Sequence, residues 1–369
     1  MKILILADTS SVHTIRWANA LQKNGFEIAV LGFSNCEHQN FNNRIRVYST
    51  YIPKKVTLKG NGIFSKLVYL KSILKVKRII NDFKPDCLHS YYASSYGLVG
   101  ALTNFHPFYI SVWGSDVFDF PQKSFMTKWI LKYVLSKSDK IFSTSNVMAE
   151  EIKKYSNKSI NVIPFGVELS LFNPVEKVET KMNNNFVIGS TKSLEDIYGI
   201  ENLIRAFKML KNNFKDLNIK LLLVGEGTLE KHLKNLCHDL QIENQVEFIG
   251  KVPHHDVVTY LHKMDIAVFL SKQESFGVSL LEAMACKIPV IVSKAKGFNE
   301  IVENDSNGIF VDSENLMEIS NKMSKLIFNE RLRFQIGASA RKRVEQHYNW
   351  DENVTQMINT YKETINVSK

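Results

Sequence analysis

The stretch Ser271-Lys-Gln-Glu274-Ser-Phe-Gly277-Val-Ser279-Leu-Leu-Glu282-Ala-Met-Ala-Cys286-Lys-Ile-Pro289-Val-Ile-Val292 decides how the chain is read. The apolar run 265–270 just before it predicts a buried strand, 279–286 a helix and 290–292 the next strand. That order leaves the amides of Val278, Ser279 and Leu280 at a helix N-terminus, where unpaired N–H groups and the helix dipole favour an anion. Gly277 lets the backbone come close. Two carboxylates flank the point, Glu274 in the loop and Glu282 in the helix. Carboxylates repel phosphate but accept hydrogen bonds from hydroxyls. An anion cradle with hydroxyl acceptors on either side describes a pocket for a sugar joined to a diphosphate. The plainer alternative is a strand-helix-strand crossover whose two glutamates are merely solvated.

Glu274 and Glu282, with seven residues between them in the setting E-S-F-G-V-S-L-L-E-A-M-A-C-K-I-P-V-I, resemble the motif of the retaining glycosyltransferases of family 4. The resemblance implies an α/β protein of the GT-B fold, two doubly wound Rossmann-like domains facing a central cleft. It implies an N-terminal acceptor-binding domain over 1–174, a nucleotide-sugar-binding domain over 175–348, and a last helix over 349–369 that crosses back to the first. The polar run 176–185 reads as the linker. The implied reaction moves a sugar from a nucleoside-diphosphate sugar to a glycan or lipid-linked acceptor in cell-surface polysaccharide synthesis. No metal or other cofactor is expected, since no Asp-x-Asp closes a strand.

Composition agrees with two soluble domains: 369 residues, 44% apolar and 23% charged. No apolar run reaches the roughly 18 residues that span a bilayer. The opening Met-Lys-Ile-Leu-Ile-Leu-Ala is too short for a signal sequence and reads as a first strand, so a cytoplasmic location is expected. Cys36, Cys87, Cys237 and Cys286 have no metal or disulfide spacing and fit reduced thiols. Charge is uneven: residues 1–175 carry 22 Lys and Arg against 11 acids, a net of +11, whereas 176–369 carry 25 against 26, a net of −1. Nine basic residues meet one acid between Lys54 and Lys84. There Lys71, Lys75 and Arg78 run beside Ile63, Leu67, Leu70 and Leu74, although Lys66 and Lys77 interrupt the apolar side. This suits contact with the anionic inner face of a membrane, the alternative being a solvated basic helix on its own domain. Nucleic acid is not expected, because no base-reading motif accompanies the charge.

The first half alternates strands with helices, which predicts a doubly wound sheet with ligands at the carboxyl ends of its strands. The loop Asp8-Thr-Ser-Ser-Val-His13 is polar and lacks the glycines of a dinucleotide fingerprint, which disfavours a dehydrogenase. By the resemblance, Ser10, Ser11 and His13 lie on the acceptor side, with packing or capping the other reading of His13. His89, at a strand end, reads as structural. Trp113-Gly114-Ser115-Asp116 is similar to the family's His-Gly-Ser-Asp turn with tryptophan replacing histidine. An indole can neither exchange protons nor accept a hydrogen bond, so Trp113 is left to stack on a sugar or to pack. Asp116 keeps the family's acid, with a catalytic role or the role of fixing the turn through backbone amides.

In the second half the family places an arginine after Gly189 and a lysine before Gly199, where Ser190 and Tyr198 stand instead. Lys192, in the same loop, is expected to reach the diphosphate, the alternative being a solvated loop lysine. The turn Gly225-Glu226-Gly227 is of a phosphate-binding type and borders the nucleotide by resemblance, as does Val252 beside the base. Glu300 caps a helix or touches the sugar. Phe276, Gly277 and the amides of Val278, Ser279 and Leu280 complete the donor side, with Glu274 on sugar hydroxyls and Glu282 on ribose hydroxyls. Glu274, Lys192 and Asp116 are the expected catalytic residues. The missing arginine, lysine and histidine keep two rivals open: a nucleotide-sugar binding protein without turnover, and an inverting or epimerising enzyme with His13 or Asp116 as base.

Overall fold

The computed structural model describes residues 1–34, 40–52, 72–175 and 186–367, the side chains of 364–367 excepted. It divides into two compact units, Met1–Phe165 with Asp351–Lys369, and Gly166–Trp350. The linker reading 176–185, Cys36, and the basic stretch from Lys54 to Lys71 with Lys66, Ile63, Leu67 and Leu70 lie outside the described residues.

In the first unit, β1 (Lys2–Leu6), β2 (Glu27–Gly32), β3 (Arg46–Ser49), β4 (Cys87–Tyr91), β5 (Phe108–Val112), β6 (Lys140–Ser143) and β7 (Ile160–Val162) form a parallel sheet in the order β3-β2-β1-β4-β5-β6-β7. β4 and β5 are buried along their whole length, and such strands read as near-continuous apolar runs when helices cover both faces. The chain lays strands to one side of β1, then returns to the other side with β4. That reversal is a topological switch point, where loops at the carboxyl ends diverge and leave a crevice.

The second unit repeats the plan with six parallel strands: β8 (Phe186–Ser190), β9 (Ile219–Val224), β10 (Val246–Gly250), β11 (Ile266–Phe269), β12 (Val290–Ser293) and β13 (Ile309–Val311), in the order β10-β9-β8-β11-β12-β13. Its switch point lies between β8 and β11. This is the expected fold class, two doubly wound Rossmann-like sheets.

Local hydrogen bonds fix some boundaries, and one differs from the sequence reading. The helix Phe125–Lys137 starts at a reciprocal capping box formed by Ser124 and Thr127. Residues 166–174, assigned from sequence to the first domain, belong to the second unit: the Val167 N–H donates to the Tyr348 carbonyl at 2.8 Å, and Arg341 donates to the Phe172 carbonyl at 2.8 Å. The helix Trp350–Val367 packs on the first unit, with Tyr361 fully buried and Asn353 donating to the Pro164 carbonyl at 3.0 Å. One ring nitrogen of His89 meets the Tyr361 hydroxyl and the other the Ser111 hydroxyl at 2.9 Å. Burial pulls the His89 imidazole down to about 3, so it is a neutral structural group, in keeping with its sequence reading.

Candidate functional site

At the second switch point, β8 ends in Ser190 and runs into Thr191 and Lys192, while β11 runs into the loop bearing Ser271 and Glu274. Lys192 and Glu274, 82 residues apart, form an ion pair whose side chains are only 8% and 14% exposed. The ammonium also sits 4.9 Å from the Tyr198 ring centroid and 5.7 Å from that of Phe298, where aromatic faces attract a cation. Tyr198, in the place where the family has a lysine, thus packs against the Lys192 ammonium. Burial and then the charge of Glu274 push the Tyr198 phenol up, keeping it neutral. The hydroxyls of Ser190 and Thr191 are buried and have no hydrogen-bond partner among the described residues.

Close backbone crossings hold the loops. Gly199 adopts φ +65°, and a Cβ there would lie 2.4 Å from the Leu270 carbonyl oxygen. The Gly297 N–H donates to the Glu274 carbonyl at 3.0 Å, and a Cβ on Gly297 would lie 2.7 Å from that oxygen. The helix start at 296–301 therefore braces the loop that carries Glu274, while the Glu300 carbonyl accepts from Arg343 and Tyr348. Gly277, at φ +108°, turns the chain into the helix Val278–Ala285. The helical ladder begins with the Leu281 N–H on the Gly277 carbonyl at 3.1 Å, so the amides of Val278, Ser279 and Leu280 stand ahead of it. Phe276 corrects one assignment. Its side chain is 3% exposed and packs edge-on to Tyr348 at 5.8 Å, so it anchors the loop instead of facing a ligand.

Glu282 is 5% exposed, and its carboxylate meets His254 Nε2 at 2.7 Å. The His254 ring leans on Phe172 at 5.4 Å. Sequence reasoning missed His254, although it follows directly on the Val252-Pro253 loop placed beside the base. The turn Gly225-Glu226-Gly227 also reads differently in three dimensions. A Cβ on Gly225 would lie 2.3 Å from the Lys192 carbonyl oxygen, and one on Gly227 2.3 Å from that of Leu194. The glycines are required by the loop 192–194 crossing against them, where the Leu194 N–H donates to the Glu226 carbonyl at 3.0 Å. The Glu226 side chain is exposed and pairs with Lys251 at 3.1 Å.

At the first switch point, after β1, Asp8 accepts the Ser10 hydroxyl at 2.8 Å and the Ser10 N–H at 3.0 Å, and Ser11 occupies the N-cap of the helix Val12–Lys23. His13 stacks on Phe165 with centroids 4.0 Å apart and rings within 9° of parallel. Trp113 stands edge-on to His13 at 6.0 Å and to Phe165 at 5.3 Å, with Tyr91 4.8 Å from its ring. The structure thus gathers His13 and Trp113 into one aromatic cluster, with Ser10 and Ser11 in the turn before it. Asp116 is 1% exposed and spends both oxygens on backbone: Oδ2 accepts from Ala93 at 2.8 Å, and Oδ1 from Gly114 at 2.9 Å and Trp113 at 3.2 Å. Burial pushes its carboxyl up while these bonds pull it back. The geometry is that of the turn-fixing role and corrects the catalytic one: Asp116 positions Trp113.

Residues 173–343 match the family described as Glycosyl transferases group 1, and residues 2–145 the family described as Glycosyl transferase 4-like. The capsular polysaccharide biosynthesis glycosyltransferase CapM of Staphylococcus aureus is 28% identical over 367 residues, covering 92% of each chain. An uncharacterized glycosyltransferase of Methanocaldococcus jannaschii is 29% identical over 305 residues, covering 81% of this chain and 82% of its own. Among solved structures, a sucrose-phosphate synthase from Thermosynechococcus elongatus superposes with a TM-score of 0.82 at 19% identity, over 100% of both chains. The Anabaena protein HepE in complex with UDP superposes with a TM-score of 0.78 at 19% identity, over 98% of this chain and 100% of its own. Two matched halves on two doubly wound sheets make this chain a glycosyltransferase of the GT-B type, with a glycosyl transferase 4-like first half and a group 1 second half.

Proposed function

We propose that this glycosyltransferase moves a sugar from a nucleoside-diphosphate sugar to a glycan or lipid-linked acceptor in cell-surface polysaccharide synthesis, with retention at the anomeric carbon. The observation that carries the proposal is the Lys192–Glu274 pair at the second switch point, beside the helix N-terminus at Val278. The amides of Val278, Ser279 and Leu280 and the Lys192 ammonium hold the diphosphate, the lysine standing in for the family's absent arginine and lysine. Glu274, exchanging Lys192 for the ligand, accepts the sugar hydroxyls. Glu282, fixed by His254, accepts the ribose hydroxyls, and Gly189, Ser190, Gly225, Glu226 and Val252 border the nucleotide. The HepE structures in complex with UDP and with UDP-glucose support such a donor, and the likeness to CapM supports a polysaccharide product.

Retention places the incoming oxygen on the face the diphosphate leaves. The departing phosphate takes the acceptor proton there, so the protein supplies position and electrostatics and needs no side-chain base. Trp113 in place of histidine and an Asp116 committed to backbone both suit this route. No metal is required, since the leaving charge is met by Lys192 and the helix amides. The acceptor meets the first unit near Ser10, Ser11, His13 and Trp113, at the inner face of the membrane.

A thermal-shift screen of nucleoside diphosphates and their sugars, followed by NMR of the product formed with acceptor, tests this reading. One donor is expected to raise the melting temperature by mass action, and the transferred sugar to keep its anomeric configuration with EDTA present. An inverted product overturns the route, and turnover abolished by EDTA overturns the metal-free site.

A further inference from the structure

The helix Phe125–Lys137 buries Thr127, Ile130, Leu131, Val134 and Leu135 against the first unit, yet its other side is also apolar. Phe125 is 86% exposed, Trp129 57% and Met126 49%. Trp129 stacks on Tyr133 at 5.6 Å, a stiff aromatic pair on the surface. Four lysines, Lys123, Lys128, Lys132 and Lys137, and no acid lie between Asp119 and Asp139. The helices Ser72–Phe83, Tyr96–Thr103 and Phe125–Lys137 pack side by side in one layer. The first of them adds Leu74, 78% exposed, with Lys77 and Arg78 exposed beside it.

We infer that this helical layer is a docking surface for an anionic lipid bilayer, with Phe125, Met126 and Trp129 entering the headgroup region and Lys128 and Lys132 meeting lipid phosphates. A protein partner fits less well. The cores of protein interfaces are depleted in lysine, whereas lysines interleaved with tryptophan and phenylalanine are the composition that lies on a membrane. Protruding single side chains also suit a fluid partner, which needs no complementary pocket. Each of the residues named for this surface is among the described ones. The surface deepens the reading of a membrane-bound acceptor, and vesicle binding is measured apart from transfer so that either can fail alone.

The test is sedimentation of the whole protein with vesicles of phosphatidylcholine, with or without phosphatidylglycerol, alongside tryptophan emission. Wild type is expected to sediment with the anionic vesicles and to show a blue shift, because Trp129 is the most exposed of the four tryptophans. Phe125→Ser/Trp129→Ser is expected to lose partitioning by about tenfold or more through the lost apolar burial. Lys128→Glu/Lys132→Glu is expected to lose binding most at low salt. Donor hydrolysis, unchanged in both, reports that the fold is intact. Equal sedimentation of wild type and Phe125→Ser/Trp129→Ser overturns the proposal, as does loss of binding only on charge reversal in 54–71. A protein that binds these vesicles through Trp129 yet glycosylates only water-soluble acceptors keeps the surface and overturns the lipid-linked acceptor.

Discussion

The two switch points share one sheet plan and differ in everything the loops add. In the first unit the chain gathers rings, His13 on Phe165 with Trp113 and Tyr91 beside them, and the buried carboxylate of Asp116 serves the backbone. In the second unit it gathers polar pairs, the ion pair of Lys192 with Glu274 and the hydrogen bond between Glu282 and His254, packed where water is scarce. Strands that only position loops leave chemistry free to diverge. One end is shaped to stack against something, the other to hold charge and hydroxyls.

The sharpest way to break this contrast is to remove one ion from the second site. Glu274→Ala or Lys192→Ala is expected to lower turnover by roughly 10²–10³, the scale seen when an electrostatic stabiliser is deleted. Each also leaves a mostly buried charge unpaired, at a cost of about 3 kcal/mol or more in stability. The double variant Lys192→Met/Glu274→Leu separates the two effects. Its denaturation midpoint is expected to recover toward wild type while turnover stays lost. Turnover that recovers with stability would make the pair a structural bridge.

Next in size is Asp116→Ala in the first unit. It strands the amides of Ala93, Trp113 and Gly114, at about 1–3 kcal/mol for an unsatisfied buried group. Urea denaturation is expected to show that loss, and Asp116→Asn, which keeps an acceptor oxygen, a smaller one. Donor hydrolysis per folded molecule is expected to hold in both, which a catalytic carboxylate would not allow.

The contrast was only half legible in the sequence. Apolar runs spaced by helices disclose both sheets, because strands covered on two faces have no polar side. The spacing of Glu274 and Glu282 points to the proposed donor loop, because one turn-and-helix unit carries both. What stayed hidden depends on residues far apart in the chain. Nothing local to Lys192 reveals that Glu274 will neutralise it 82 residues later. The glycines at 225 and 227 read as a phosphate turn, since the loop that crosses them is visible only in three dimensions. Phe125 and Trp129 were hidden for another reason: a helix apolar on two sides does not say which side is buried.

The two units also use histidine differently. His89, held near 3 by burial against its ordinary 6.5, refuses a proton that the unfolded chain accepts. Between those values the unfolded state binds more protons, so stability falls as pH falls, by at most about 1.4 kcal/mol per pH unit. His89→Gln is expected to flatten this acid limb in melts between pH 6.5 and 4. A limb of unchanged slope would assign the acid sensitivity to other groups.

His254 is the smaller and more discriminating case, because it touches a functional carboxylate and not a core hydroxyl. Its bond to Glu282 fixes which way that carboxylate points, and in the proposed site Glu282 binds ribose without touching the bond that breaks. Removing the imidazole therefore weakens donor and transition state alike, which raises KM and spares kcat. His254→Ala is expected to raise the donor KM by about tenfold, the scale of one charge-assisted hydrogen bond, with kcat within about twofold. His254→Gln, which can still donate to Glu282, is expected to recover most of the loss. A fall in kcat with KM unchanged would move His254 to the reacting centre, and the second switch point would then hold a proton-transfer group after all.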